Sequence, residues 1–148
     1  MPDDKWDIRF LGLAKFVSDW SKDPSTKTGA AIIRPDRTIA SIGFNGFPRK
    51  MKDDEELYNN REIKYSRIVH CEMNAILSAD ESLSGYTLYT YPFASCDRCA
   101  VHVIQKSIER VVFPKLPDEL RGRWEDSLKK TLSYFNEAGI SINELDFK

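Results

Sequence analysis

The sequence is poor in the side chains that bind soft metals, with three cysteines and two histidines among 148 residues. A small, odd number of thiols in a chain with no visible export signal excludes a disulfide framework as the basis of the fold. A reducing cytoplasm is the expected compartment, and there the thiols stay available as ligands. An excess of one charge is missing too. Lys and Arg number 22 and Asp and Glu 23, a formal charge of −1. No global field would gather a polynucleotide, so nucleic acid is not an expected partner. A small nucleotide needs only a few local cations and is not excluded. No apolar run approaches the roughly 20 residues of a membrane-spanning helix. The start, Met1-Pro2-Asp3-Asp4-Lys5, has neither the basic opening nor the apolar core of a signal peptide. With no repeat, low-complexity tract or linker, residues 1–148 are expected to form one domain that buries its own core.

The apolar pattern alternates between two periods. Trp6 to Trp20 carries Phe10, Leu13, Ala14, Phe16 and Val17 at helical spacing. Ser21-Lys22-Asp23-Pro24-Ser25 ends that helix, because Pro24 cannot continue it and restricts Asp23. Ala30–Ile33 and Thr38–Ile42 read as strands joined by the turn residues Arg34-Pro35-Asp36-Arg37, which makes a hairpin. Gly43 to Pro48 is expected to leave the sheet as a loop. Met51 to Tyr65 is polar and weakly periodic, a loop or poorly fixed helix. Helices are expected over Cys71–Ala79, over Asp97–Ser107 with Ala100, Val101, Val103 and Ile104 inward, and over Arg123–Glu137, the last capped by Gly139. Thr87–Thr90, Arg110–Phe113 and Ile140–Ile142 are the remaining strands. Strands alternating with helices predict an α/β fold built on one sheet.

The chemistry lies in two short motifs, His70-Cys71-Glu72 and Cys96-Asp97-Arg98-Cys99. Alone, the first is an ordinary helix start, and the second is equally a redox pair, half a structural zinc site or two buried thiols. Together they offer one imidazole, two thiolates and one carboxylate at helix N-termini. Three nitrogen or sulfur ligands leave tetrahedral zinc one position short, the mark of a catalytic site. Glu72, two residues after His70, can reach water at that position without binding the metal and carry its protons. The partial positive charge of a helix N-terminus favours the thiolate forms of Cys96 and Cys99. Ahead of the first strand, Ser25, Thr26 and Lys27 supply two hydroxyls and a compact charge suited to a phosphate, although such a loop is usually just solvated.

His-x-Glu followed by Cys-x-x-Cys resembles the cytidine deaminase superfamily, and within it the deoxycytidylate deaminases. Ser21-Lys22-Asp23-Pro24-Ser25, Thr28-Gly29-Ala30, Gly43-Phe44-Asn45-Gly46-Phe47-Pro48 and Lys64-Tyr65 carry the likeness, as do Glu72 to Ile76, Thr87-Leu88-Tyr89 and Ala138-Gly139-Ile140. The resemblance implies zinc held by His70, Cys96 and Cys99, with Glu72 moving protons while water attacks ring carbon C4. The expected reaction is dCMP to dUMP and ammonia. It also implies that Asn45 bonds the deoxyribose, and that the loop of Phe93 and Ser95 presents a backbone carbonyl to the substrate amine. The implied fold is a three-layer αβα sandwich around a mixed five-stranded sheet. The implied assembly is a homo-oligomer, often a hexamer, activated by dCTP and inhibited by dTTP.

The chain departs from the family pattern in places. Ser95, not proline, precedes Cys96, and Pro92 lies four residues upstream of Cys96. Cys71 stands where alanine is usual, and a small buried thiol packs much as alanine does. Pro114-Lys115-Leu116-Pro117 replaces a tyrosine-containing stretch that helps bind the nucleotide in relatives. His102 is expected to be a packed or surface residue. Three other readings share parts of the pattern. One is a deaminase of another base, nucleoside or modified pyrimidine nucleotide. Another is a nucleic-acid editor, which needs a basic groove. The third is a non-enzymatic zinc-stabilised module, which needs a fourth protein ligand.

Overall fold

The sheet is built outward from a strand buried on both sides. A computed structural model describes residues 4–147, and in it all five residues of β1 (Gly29–Ile33) are buried. Side chains alternate across a strand. Ala30 and Ile32 therefore enter one apolar cluster and Ala31 and Ile33 the other. β2 (Ile39–Phe44) pairs antiparallel with β1, with a register shift between Ile32 and Ile33. β3 (Thr87–Tyr91) lies antiparallel on the other side of β1. β4 (Arg110–Pro114) and β5 (Ser141–Leu145) follow in parallel. The result is a mixed five-stranded sheet in the order β2-β1-β3-β4-β5.

Helices cover both faces. α1 (Asp4–Ser18) lays Phe10 and Leu11 on Ala31, Tyr89 and Val112. The other face receives α4 (Cys71–Ser78), α5 (Asp97–Gln105) and α6 (Arg121–Glu137), through Ala75, Ile76, Ala100, Val103 and Phe135. α5 and α6 are the crossovers that parallel pairs require. The layered αβα architecture is the one expected. Gly139, at φ +76°, ends α6 in the left-handed region open to glycine.

Three local expectations are corrected and a fourth is sharpened. Phe16 points outward, 62% exposed, and Leu11 takes the buried place. The inward stripe of α1 runs through residues 7, 10, 11, 14, 17 and 18, and position 16 lies off it. Val101 is exposed on α5 for the same reason. Gly43 and Phe44 remain in the sheet, paired with Ala30 and Gly29. The segment read as loop or poorly fixed helix contains two short helices, α2 (Glu55–Asn59) and α3 (Arg61–Arg67). Neither has an apolar stripe. α2 is anchored instead by Tyr58, whose ring stacks on Phe47 at 4.0 Å, and α3 by Lys64, 2.8 Å from Asp23 Oδ2.

Asp7 is a polar residue on the buried stripe of α1, 2% exposed. It accepts hydrogen bonds from Tyr89 (2.7 Å), Arg110 (2.8 Å) and Asn143 (2.7 Å), tying α1 to β3, β4 and β5. Burial pushes its carboxyl up, but the bonds from Arg110, Tyr89 and Asn143 together outweigh it and hold Asp7 below its ordinary value. A depressed folded value means the stabilisation is complete above the unfolded value and is lost as pH falls through the folded one. Asp7→Asn is expected to cost about 3 kcal/mol in urea denaturation at neutral pH, because Arg110 loses its buried partner. The difference from wild type should shrink below the ordinary carboxylate value of 3.8.

Gly43 lets α4 settle directly on β2. A Cβ there would lie 2.4 Å from the Ala75 nitrogen and 2.5 Å from the Cys71 oxygen, both backbone atoms. Gly43→Ala is therefore expected to lose about 2 kcal/mol of stability. Gly122, on α6, has nothing within 4 Å of such a Cβ. Gly122→Ala should instead gain up to about 1 kcal/mol from helix propensity, which chemical denaturation of the two variants can resolve.

Candidate metal centre and substrate cavity

His70 and Cys96 occupy matching positions at the starts of α4 and α5. Both are N-cap residues with extended backbone (φ −70°, ψ 159° and φ −68°, ψ 164°), and neither side chain makes a capping hydrogen bond. Side chains that normally satisfy the first turn are thus left to face each other. Cys99 follows in the first turn of α5. His70 Nδ1 lies 3.2 Å from Cys99 Sγ and 3.4 Å from Cys96 Sγ, and the three ligand atoms lie within 4.8 Å of one another. Tetrahedral zinc, with Zn–S near 2.3 Å and Zn–N near 2.0–2.1 Å, holds such atoms about 3.5 Å apart. The donor set fits zinc. It is the one metal-capable cluster among the described residues.

The two thiols of the set act on each other. Contact with Cys99 lowers the Cys96 thiol, to about 4, against burial and with help from His70. The same contact, followed by burial, raises Cys99. Two adjacent thiolates oppose each other until a cation lies between them. His70 is raised chiefly by its contact with Cys96.

Glu72 stands beside the ligand set, outside it. It is 4% exposed, with Oε1 3.9 Å from His70 Nδ1. Ser95 donates its hydroxyl to Oε2 at 3.0 Å, and the Cys71 thiol lies 3.7 Å from the same oxygen. A carboxylate held there can exchange protons with a molecule at the open face of the triad. Cys71 is buried in the apolar core, and burial pushes its thiol well above the ordinary value. His102 is exposed, with Nδ1 2.9 Å from the Arg98 carbonyl oxygen.

His70, Cys96 and Glu72 line a cavity together with Asn45, Thr26, Lys64, Phe93 and Trp124 among others, whereas Cys99 is buried and outside the lining. The structure thus brings together His70, Glu72, Cys96, Asn45, Thr26 and Phe93. Ser25 and Lys27 are exposed and outside the lining. Ser95 lies beneath the cavity. Its hydroxyl goes to Glu72, and its carbonyl accepts from the buried Thr131 hydroxyl at 2.8 Å. Arg123 and Trp124 line the cavity without having been singled out in the sequence. Trp124 stacks at a tilt on Phe93, 5.2 Å between centroids, with the Arg123 guanidinium 5.0 Å from its ring. Its Nε1 is the one buried side-chain nitrogen or oxygen without a hydrogen-bond partner among the described residues. No periodicity in the sequence separates these two from other residues at the solvated start of an amphipathic helix.

Residues 4–115 match the family described as cytidine and deoxycytidylate deaminase zinc-binding region, and the chain belongs to this family of zinc-dependent hydrolytic deaminases. It is 38% identical over 141 residues to a protein of Aliivibrio fischeri described as an uncharacterized deaminase in the luxG 3' region, covering 95% of this chain and 94% of that one. It is 30% identical over 148 residues to the deoxycytidylate deaminase of Homo sapiens, covering 95% of this chain and 79% of the human one. The crystal structure of dCMP deaminase from the cyanophage S-TIM5, in complex with dCMP and dUMP, superposes with a TM-score of 0.76 at 18% identity, covering 98% of this chain and 100% of that one. That likeness is one of fold.

Metal analysis of purified protein is expected to find one zinc per chain. Cys96→Ala and Cys99→Ala should each lose it, whereas Cys71→Ala and His102→Ala should keep it. Zinc lost from either of the last two variants would mean a different ligand set.

Proposed function

We propose that the chain deaminates dCMP hydrolytically to dUMP and ammonia, with zinc held by His70, Cys96 and Cys99 and protons moved by Glu72. The observation that carries the reading is a buried carboxylate beside a three-ligand set, with Glu72, His70 and Cys96 in the lining of one cavity. The likeness to the human deoxycytidylate deaminase over most of the chain supports the choice of nucleotide. Bound zinc supplies the Lewis acidity that lets water attack C4 of the ring at neutral pH. Glu72 takes a proton from that water and delivers it to N3. It then takes the remaining hydroxyl proton and gives it to the amine, so that ammonia leaves and C4 becomes a carbonyl. Ser95, donating to Oε2, keeps the carboxylate turned toward this work.

Asn45 faces the sugar and Phe93 packs against the base. With the Ser95 carbonyl engaged by Thr131, the substrate amine meets the backbone of Phe93 or Ala94. The phosphate is met by Thr26, with Ser25 and Lys27 beside it and Arg123 from the opposite element. Self-association into a homo-oligomer, a hexamer by family resemblance, has a candidate surface in the exposed Phe16, Trp20 and Phe44 rings. Regulation by dCTP and dTTP and a cytoplasmic location belong to the same reading. Among the described residues no helix is long and apolar enough to cross a membrane.

A panel of dCMP, CMP, deoxycytidine, dCTP and 5-substituted dCMP, followed by loss of cytosine absorbance, should rank dCMP first. Glu72→Gln is expected to retain zinc and lose turnover by about 10²–10⁴-fold, the usual weight of a positioned general acid–base. Lys27→Ala and Arg123→Ala should each raise KM for dCMP about tenfold, as for one charge-assisted hydrogen bond. Neither should change the slow reaction of deoxycytidine, which has the same base and sugar. Equal efficiency on dCMP and deoxycytidine in the wild type would favour a nucleoside deaminase.

A further inference from the structure

Asn45 has no hydrogen to spare. Its Nδ2 donates to Asp23 Oδ2 at 3.2 Å and to the Thr26 carbonyl at 2.9 Å, and its Oδ1 accepts the Thr28 N–H at 2.9 Å. An amide side chain offers two hydrogens and two acceptor lone pairs. What remains for the cavity is one lone pair of Oδ1. The amide cannot be turned over. Turned, it would set Nδ2 against the Thr28 N–H and Oδ1 against both the Asp23 carboxylate and the Thr26 carbonyl oxygen. Toward a ligand Asn45 is an acceptor.

That polarity is imposed by Asp23, which is 2% exposed. Its carboxylate also accepts the Ser25 N–H at 2.8 Å and the Thr26 N–H at 3.4 Å, so one group shapes the loop and orients the amide. Lys64 answers its charge. The ammonium reaches across from α3 to within 2.9 Å of Oδ1 and 2.8 Å of Oδ2, with its side chain 11% exposed. A carboxylate this deep needs such a partner. Lys64, Asp23 and Asn45 all line the cavity that holds His70 and Glu72.

We propose that Lys64 is a positioning residue for sugar recognition: through Asp23 it locks Asn45 as an acceptor, and the site thereby selects nucleotides with a free sugar hydroxyl. The inference rests on the nucleotide reading above. In a 2'-deoxynucleoside 5'-monophosphate the only such hydroxyl is at the 3' position. The 3' oxygen of an internal residue in a DNA strand is esterified and carries no hydrogen, so the same lone pair that welcomes dCMP disfavours a polynucleotide.

The test compares kcat and KM of the zinc-loaded enzyme for dCMP, 2',3'-dideoxycytidine monophosphate and its 3'-fluoro counterpart. Wild type should prefer dCMP by about tenfold or more, the worth of a hydrogen bond to a buried acceptor. It should reject the fluoro compound as firmly as the dideoxy one, since both lack the hydrogen. Asp23→Asn combined with Lys64→Met removes both charges at similar volume. This double variant should keep zinc and its melting temperature while the preference collapses toward one, through a raised KM for dCMP alone. Lys64→Arg, which retains the charge, should retain the preference and serves if the double variant does not fold. Loss of activity on all three substrates alike, or an undiminished preference in the folded double variant, would reduce Lys64 to a structural support and overturn the proposal. A wild type that tolerates the fluoro or dideoxy sugar would overturn it without any variant. Failure of wild type to deaminate dCMP would instead overturn the nucleotide reading itself.

Discussion

Two helix N-termini have to meet. The side chains of His70 and Cys96 come within 3.4 Å of each other only because α4 and α5 begin side by side on one face of the sheet. Much of the remaining structure serves that meeting. Small residues bring the helices down: Gly43 admits the backbone of α4, and Ala75 and Ala100 are wholly buried at the seams. α6 braces the second start from behind. Ser127 accepts from the Asp97 N–H at 3.0 Å and donates to the Asp97 carboxylate at 2.7 Å, while Thr131 holds the Ser95 carbonyl. None of these residues faces the cavity's chemistry. They fix a donor set whose geometry tolerates little error.

Charge inside the molecule is allotted with the same economy. Among the described residues three carboxylates are buried, on Asp7, Asp23 and Glu72. Asp7 is paired with Arg110 at the sheet, and Asp23 with Lys64 at the substrate loop. Glu72 has no lysine or arginine partner among the described residues, only the Ser95 hydroxyl, the Cys71 thiol and the nearby His70 ring. Two of the three are each paired with a cationic side chain. The third stands beside the residues that would hold the metal. This difference in partners separates a structural carboxylate from the one to which proton transfer is assigned.

The sequence was most legible where function or burial fixes spacing. His70-x-Glu72 and Cys96-x-x-Cys99 are short-range patterns set by a single helix turn each, and the doubly buried strand β1 is an unbroken apolar run. Phe16 was misplaced because an aromatic residue next to Val17 looks like core until the angle of α1 on the sheet is known. α2 and α3 read as loop or helix because single contacts anchor them, Tyr58 on Phe47 and Lys64 on Asp23, with no period. The role of Lys64 lay further out of reach. Lys64 and Asp23 are 41 positions apart, and only the folded loop shows that one carboxylate organises Asn45. Arg123 and Trp124 belong to the same class, placed at the cavity by how α6 docks and not by any local pattern. Asn45 was legible as a residue but not in its polarity, which depends on three partners from one loop.

The three tryptophans sit in unlike surroundings. Trp6 lies between the guanidinium groups of Arg9 and Arg37, at 4.6 and 4.8 Å from its ring. Trp20 is half exposed and meets Phe44 edge-on. Only Trp124 lines the cavity of the triad, with its indole nitrogen shielded from solvent and bonded to nothing. The chain therefore carries its own optical reporter in the lining of that cavity. With Trp6 and Trp20 replaced by phenylalanine, tryptophan emission would come from Trp124 alone, and filling or emptying the cavity could be followed in a stopped-flow cell without labelling the protein or modifying the ligand.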